Sequence, residues 1–432
     1  MAITVKSEII VPAAGKPCYE QRTQLYLDAD GLRRRETRGF ESQSDTTDYT
    51  EYRISADNGR TWGEWIREAP VTKERCGEDE ISEHEAYPAV KHVWNPVQRH
   101  FVTLELQRIY LGGYEAASSA YWAGESETDH SYLVVEEEDG TTYPRQLVRY
   151  EEGILYDRAT YRDEAYCKHN IAMPTGLTIC ENGDILIAIV PPVGTCCNML
   201  GLDRSVVFPS RLGNGHATGL LMARGVWNKE KKEYDLTFSN ALILDDRQSS
   251  RGVQEPIITE LASGKILVVC RASNVYASDG ATRINPYAPN YKYYTISDDG
   301  GKTFSPLVPW HFDTREVIYS SATYALFLRS NTNGKLYWFG NITDPTQTQG
   351  NYPRYPLQMV EVDEEWGCAK KDTLTVIDTR REGESERVQL SNFCILEDRE
   401  TGNIELYLSK IGQDDNRHEF DCETWKYTIT ID

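Results

Sequence analysis

The sequence predicts an all-β protein: a single closed β-propeller of four-stranded blades spanning residues 1–432, six-bladed, with seven blades as the runner-up. Three observations predict it. An eight-residue turn pattern occurs twice, six tight turns recur along the whole chain, and the composition favours pleated, half-buried surfaces. Tyr and Trp are abundant, 27 and 9, against only 5 Met, and aromatic residues suit strands.

The six turns are Asp30-Gly31, Asn95-Pro96, Asn182-Gly183, Ser263-Gly264, Asn333-Gly334 and Thr401-Gly402. Five carry the glycine of a hairpin. Strand-like runs flank them, for example Thr178-Ile-Cys180 before and Ile185-Leu-Ile-Ala-Ile189 after one turn. Successive turns lie about 65 to 87 residues apart, the length of a four-stranded blade with long loops. The innermost strands then begin near Tyr19, His84, His169, Arg251, Tyr319 and Gln389. The last hairpin is followed by one clear strand, Trp425–Ile431, so Ile3–Val11 is expected to complete that blade and remove a sheet edge. Seven blades stay in play because residues 84–168 are long and poorly patterned. No low-complexity linker marks a second domain.

The repeated pattern is S-x-D-x-G-x-T-[W/F]: Ser55-Ala-Asp57-Asn-Gly59-Arg-Thr61-Trp62 and Ser297-Asp-Asp299-Gly-Gly301-Lys-Thr303-Phe304. Asp accepts from turn amides, Gly supplies a positive φ, and the aromatic ring anchors the next strand. Both segments resemble the Asp-box, or bacterial neuraminidase repeat, of the sialidase-like β-propellers. Their role is expected to be structural.

Charge and length narrow the function. With 67 acidic and 46 basic residues the formal net charge is −21, and no basic footprint for nucleic acid is visible. Mean hydropathy is −0.55, and no apolar run approaches 18 residues, which excludes a helical membrane span. The first residues have no apolar leader core; the expectation is an extracellular protein if a leader has been removed and a cytoplasmic one otherwise. Ten cysteines are scattered without a C-x-x-C pair, so a zinc ribbon is not expected. Cys180, Cys270 and Cys394 read as buried thiols. The neighbours Cys196 and Cys197 are two free thiols or a strained, redox-sensitive disulfide.

The long connections, Ile109–His130, Pro191–Asn214, Ala272–Asn290 and Asn341–Pro353, all join second to third strands. Strand alternation puts them on the face where innermost strands begin, and long loops on one face of a scaffold usually build the site. The candidate residues are therefore Tyr19, Glu20 and Arg22; His84 and Glu85; His169 and Asn170; Arg251 and Glu255; Tyr319 and Ser320; and Arg387, Gln389 and Asn392. His84 and His169 titrate near neutrality, and either is equally a structural histidine. His216 lies in a long loop. Glu255 and Arg271 can meet across a hairpin, as functional groups or as a structural ion pair. Arg354 opens another strand from the same face.

In sialidases a Glu precedes this kind of hairpin, and an Arg follows about sixteen residues later. Glu255 and Arg271 look like that pair, and Arg354 looks like the family's last carboxylate-binding arginine. The family's Arg-Ile-Pro motif is missing here, and Phe393 occupies the place of its nucleophilic tyrosine. The resemblance thus implies the architecture without sialic acid release. The layout looks most like the propeller polysaccharide lyases that remove terminal L-rhamnose from α-1,4-linked D-glucuronate. That chemistry needs a cation on the carboxylate, a base for the C5 proton and an acid for the leaving oxygen. Arg22, Arg251, Arg271 and Arg354, supported by Asn170, His216, Glu255 and Arg387, are the candidates for binding. His84 or His169 is the candidate base, and Tyr19 or Tyr319 the candidate acid. The expected partner is an acidic oligo- or polysaccharide, with no nucleic acid and no membrane, and the protein is expected to act as a monomer. The reading requires no cofactor and leaves room for a structural calcium ion. An exo-glycosidase using Glu255 and a non-catalytic glycan-binding propeller are the alternatives; architecture alone does not separate them.

Overall fold

A computed structural model describes residues 3–41, 47–68, 71–76, 79–84, 92–111, 127–153, 169–209, 217–278 and 281–431. The fold is a six-bladed β-propeller. The chain groups into two compact units, residues 1–70, 290–292 and 309–432 in the first, and 71–289 and 293–308 in the second.

The first unit holds three sheets. Blade 1 runs Tyr19–Tyr26, Arg34–Glu41, Tyr49–Ser55 and Ile66–Glu68. Blade 5 runs Leu326–Arg329, Leu336–Asn341, Leu357–Asp363 and Cys368–Ala369, with Thr375–Asp378 also paired to its third strand. Blade 6 runs Cys394–Glu397, Ile404–Ser409 and Thr424–Ile431, and Ile3–Val11 pairs antiparallel with the last of these, Ile3 opposite Ile431. The N-terminal strand thus supplies the fourth strand of the C-terminal sheet. In blades 5 and 6 the second strands are the most buried: all six residues of Leu336–Asn341 and of Ile404–Ser409 are buried. Tyr337, Phe339, Leu406 and Tyr427 sit in this core, where each large apolar side chain contributes about 1.5–3 kcal/mol.

The second unit holds the other three. Blade 2 has Val71–Cys76, Asp79–His84, His100–Leu111, Glu127–Glu137 and Gln146–Leu147 in line, and Val93–Asn95 pairs with the first half of His100–Leu111. Its first strand is therefore made of two pieces against one long partner, which explains the poor sequence pattern there. Blade 3 runs Met173–Ile179, Ile185–Val190, Leu221–Asn228 and Glu233–Phe238; blade 4 runs Gln254–Glu260, Ile266–Arg271, Lys292–Ser297 and Val308–Pro309. A core cluster of blades 2 and 3 gathers Val102, Leu104, Leu133, Ile187, Leu221 and Tyr234. The loop after Val190 carries two short helices, α1 (Val193–Leu200) and α2 (Arg204–Val207). Cys196 and Cys197 lie on α1 as free thiols. No helix among the described residues is long and apolar enough to cross a membrane.

All six predicted turns connect first to second strands. The two repeated segments fold alike. Asp57 accepts from the Thr61 amide at 2.8 Å and the Thr61 hydroxyl at 2.6 Å, while Ser55 accepts from the Gly59 amide. Asp299, Thr303, Ser297 and Gly301 repeat these bonds. Gly59 and Gly301 have φ of 83° and 86°, which a side chain would strain. The rings differ. Phe304 is buried, as expected of an anchor, whereas Trp62 is half-buried and lies beneath the Arg53 guanidinium.

Candidate functional site

In the first unit the start of blade 5 and the loop before its third strand converge. The Tyr319 and Tyr291 rings meet edge to face with centroids 4.9 Å apart, and the residues form a β-bridge. The hydrogen bond to Tyr319, with burial, pushes the Tyr291 phenol up to about 12. Tyr291 therefore keeps its proton near neutrality. The neighbouring Lys292, fully buried, donates its ammonium to the Thr323 carbonyl.

Main-chain bonds tie this pair to Arg354. The Ser320 amide donates to the Asn290 carbonyl, and the Asn290 side chain and the Ala322 amide both donate to the Gly350 carbonyl. Arg354 lies between two cis prolyl bonds, Tyr352–Pro353 and Tyr355–Pro356. Its guanidinium donates to the Asn351 carbonyl at 3.0 Å, Gln389 Oε1 at 2.6 Å, Ser391 Oγ at 3.4 Å and the Ala322 carbonyl at 3.3 Å. The buried Asn341 amide braces the carbonyls of Arg354, Pro356 and Leu390. Arg354 is thus fixed in direction by four donations to neutral acceptors of the protein.

Three expectations in this unit are corrected. Tyr19 packs in a core cluster with Ile411, Phe420 and Cys422 and donates its hydroxyl to Glu41 at 2.7 Å, because its strand turns that face inward. It is not placed to protonate a sugar. Arg22 is clamped by Glu20 at 2.5 Å and Glu36 at 3.0 Å, so its charge is already neutralised within the sheet. Arg387 is exposed and pairs with Asp415 on the surface at 3.2 Å. Phe393 is buried against Tyr324 and belongs to the core.

In the second unit Arg271 donates to Glu255 at 2.7 Å, with Nε of Arg271 buried and without a partner among the described residues. Glu255 sits in a bulge at φ 42°, a left-handed conformation a glutamate rarely adopts. His169 lies 3.3 Å from Glu151 and remains about one-third exposed. Asn170 is corrected: its side chain is 1% exposed and accepts from the Tyr150 and Glu151 amides, stapling that loop rather than facing a ligand. Arg251 is half-buried and its carbonyl accepts from the Thr218 amide. His84 ends a strand opposite Arg108; its side chain lies outside the described residues, as do Glu85 and His216. Among the described residues no group of three or more His, Cys, Asp or Glu could hold a metal ion.

Tyr291 and Glu151 escaped the sequence reading. Tyr291 opens a third strand rather than a first one, and its signal was the Tyr-rich run after a long loop. Glu151 lies eighteen residues before His169 with no local pattern linking them.

No family model and no curated protein matches the sequence. Among solved structures, the chain is similar to a protein of unknown function from Dyadobacter fermentans, with a TM-score of 0.57, 13% identity and 99% of both chains covered. It is also similar to a sialidase from Trypanosoma rangeli solved with a difluorinated sugar acid, with a TM-score of 0.52 and 9% identity, over 98% of this chain and 58% of that longer one. At such identities the likeness establishes the fold.

Proposed function

We propose that the protein is a carbohydrate-active enzyme, a polysaccharide lyase that releases a terminal L-rhamnosyl group from α-1,4-linked D-glucuronate by β-elimination. The observation that carries this reading is the fixed Arg354 guanidinium, held by Gln389 and Ala322 in a loop whose Gly350 carbonyl is bonded to the segments that carry Tyr291 and Tyr319. Arg354 binds the glucuronate carboxylate, which withdraws charge from C5 and acidifies its proton. The Tyr319 oxygen takes that proton, and its side-chain hydrogen bond with Tyr291 holds it in place. The C5–H electron pair becomes the C4–C5 double bond, the C4–O4 bond breaks, and Tyr319 returns the proton to O4. No nucleophile is required, consistent with a buried Phe393. The rhamnosyl leaving group comes from the resemblance of the sequence layout.

A glycosidase is the second reading. The Arg271-bound Glu255 in its strained bulge favours it, as does a fold shared with a sialidase. Incubation with gum arabic in isotopically heavy water separates the two. Elimination yields ultraviolet absorbance from the unsaturated uronate and puts no water oxygen into either fragment at the cleaved bond. Early incorporation of heavy oxygen, before exchange at the free anomeric carbon, overturns the lyase reading in favour of the hydrolase.

A further inference from the structure

We infer that the second unit carries a glycan-binding subsite of its own, in which Arg247 and Tyr287 hold a uronate-bearing stretch of an acidic glycan chain. The inference rests on reading the substrate as an acidic glycan and not on the elimination chemistry.

Three segments of this unit are joined at one buried side chain. Asn285 is 2% exposed; its amide nitrogen donates to the Asp246 carbonyl at 2.7 Å, and its Oδ1 accepts from the Tyr287 amide at 3.0 Å. The width of one carboxamide therefore separates the main chain of Asp246 from that of Tyr287. The Asp246 amide donates in turn to the Val207 carbonyl of α2, and the Asn285 amide to the Asn274 carbonyl. Arg247 follows in a turn where its own amide and that of Gln248 both donate to Asp245 Oδ1. Pro286 and Pro289 bracket Tyr287, and Ala288 is buried, so the tip is stiff.

The side chains carried by this rigid backing are open. Tyr287 is 79% exposed and Val206, on α2, 75%. Arg247 is exposed, and its guanidinium has no ion pair or hydrogen bond among the described residues. In a chain of formal net charge −21 carboxylates are plentiful, yet none of those described takes this guanidinium, which leaves it for an anion from outside. A guanidinium grips a carboxylate through two parallel N–H···O bonds, and a tyrosine ring is an amphipathic plane that suits the C–H face of a sugar. A uronate-bearing chain offers both groups within a disaccharide. A single cation on an acidic surface does not make the basic footprint of a nucleic-acid site. Because the loops are already ordered, little conformational entropy is lost on binding.

The experiment is calorimetric titration of the full chain with gum arabic oligosaccharides, and with the same oligosaccharides after reduction of their carboxyl groups to alcohols. The chain carries Arg354→Gln so that the ligand is not consumed. Arg247→Gln and Tyr287→Ala should each weaken binding roughly tenfold with melting unchanged, and Tyr287→Phe should retain it. Carboxyl reduction should weaken binding to the same extent and cancel the effect of Arg247→Gln. With Arg354 intact, Arg247→Gln should raise KM for the long glycan and leave kcat unchanged. Binding that depends on Arg247 without any turnover supports this subsite and refutes the lyase reading alone. The inference is overturned if the oligosaccharides do not bind, if Arg247→Gln or Tyr287→Ala changes affinity by less than about threefold, or if Arg247→Gln weakens the reduced form equally. Association between copies of the chain that is lost on Tyr287→Ala, seen by sedimentation, also overturns it.

Discussion

Replacing Arg34 by methionine tests how the first and sixth blades are held together. Arg34 is almost fully buried and donates to Asp398 at 2.6 Å, Glu405 at 2.8 Å and the Tyr26 hydroxyl at 2.8 Å. Removing one partner of a buried ion pair typically costs about 3–5 kcal/mol, because the remaining charges lose their compensation. Here the lower end applies. Asp398 still accepts from the Asn58 side chain and from the Thr401 amide and hydroxyl, and Glu405 still receives Lys426. Methionine replaces most of the buried volume, so little cavity cost is added. The expected loss is about 3 kcal/mol, which in a cooperative unit of about 200 residues lowers the melting temperature by roughly 6–12 °C. Urea unfolding monitored by tryptophan fluorescence measures it directly. Adding Glu405→Gln should recover part of the loss, giving a coupling energy of the opposite sign. A loss below about 1 kcal/mol, or strict additivity, would refute the claim that this seam is held by ionic pairing.

Arg354→Gln should lower kcat/KM on the uronate glycan, per folded molecule, by about 3–4 kcal/mol of transition-state stabilisation, several hundredfold; a change of less than tenfold removes Arg354 from the site. Tyr319→Phe should abolish turnover and Tyr291→Phe reduce it, and single-turnover kinetics that show neither effect reject the phenol pair. Asp57→Ala and Asp299→Ala should lower the melting temperature while specific activity per folded molecule persists. Their turn bonds hold both carboxyls below the usual range, Asp57 at about 2, so this stability is present above about pH 4 and is lost as pH falls towards 2. His100, buried against Tyr234 and Trp227, is held down to about 4 by desolvation. The unfolded chain takes up that proton near pH 6.5 and the folded chain does not, so stability falls by up to about 3 kcal/mol between pH 6.5 and 4. Urea midpoints at pH 7.5 and 4.5 check this; a flat profile contradicts it.

Much of the architecture was legible because it is written locally. A tight hairpin needs glycine or asparagine at fixed positions, and the Asp57 and Asp299 turns need their Ser, Gly and Thr within a few residues, so six blades and the joining of Ile3–Val11 to the last strand follow from short-range chemistry. The Glu255–Arg271 pair was legible too, since a sixteen-residue hairpin brings its two ends together. Where local pattern failed, the cause is visible: blade 2 splits its first strand into two pieces against the two ends of His100–Leu111.

What the sequence could not decide is which side of a strand start faces solvent. Tyr19, Asn170 and Arg22 occupy the right strand beginnings, yet one is core, one staples a loop and one is neutralised by Glu20 and Glu36. A strand shows a different face to its surroundings at every residue, and burial of each face depends on what packs there, residues far away along the chain. The pairing of Tyr319 with Tyr291, the bracing of Arg354 by Gln389 and Ser391, and the meeting of Arg34 with Asp398 and Glu405 are all such contacts. The sequence by itself determined the blades, their turns and the closing strand. Only the tertiary structure decided which charges are spent on one another and which are braced by neutral groups, because that depends on partners supplied by other blades and loops.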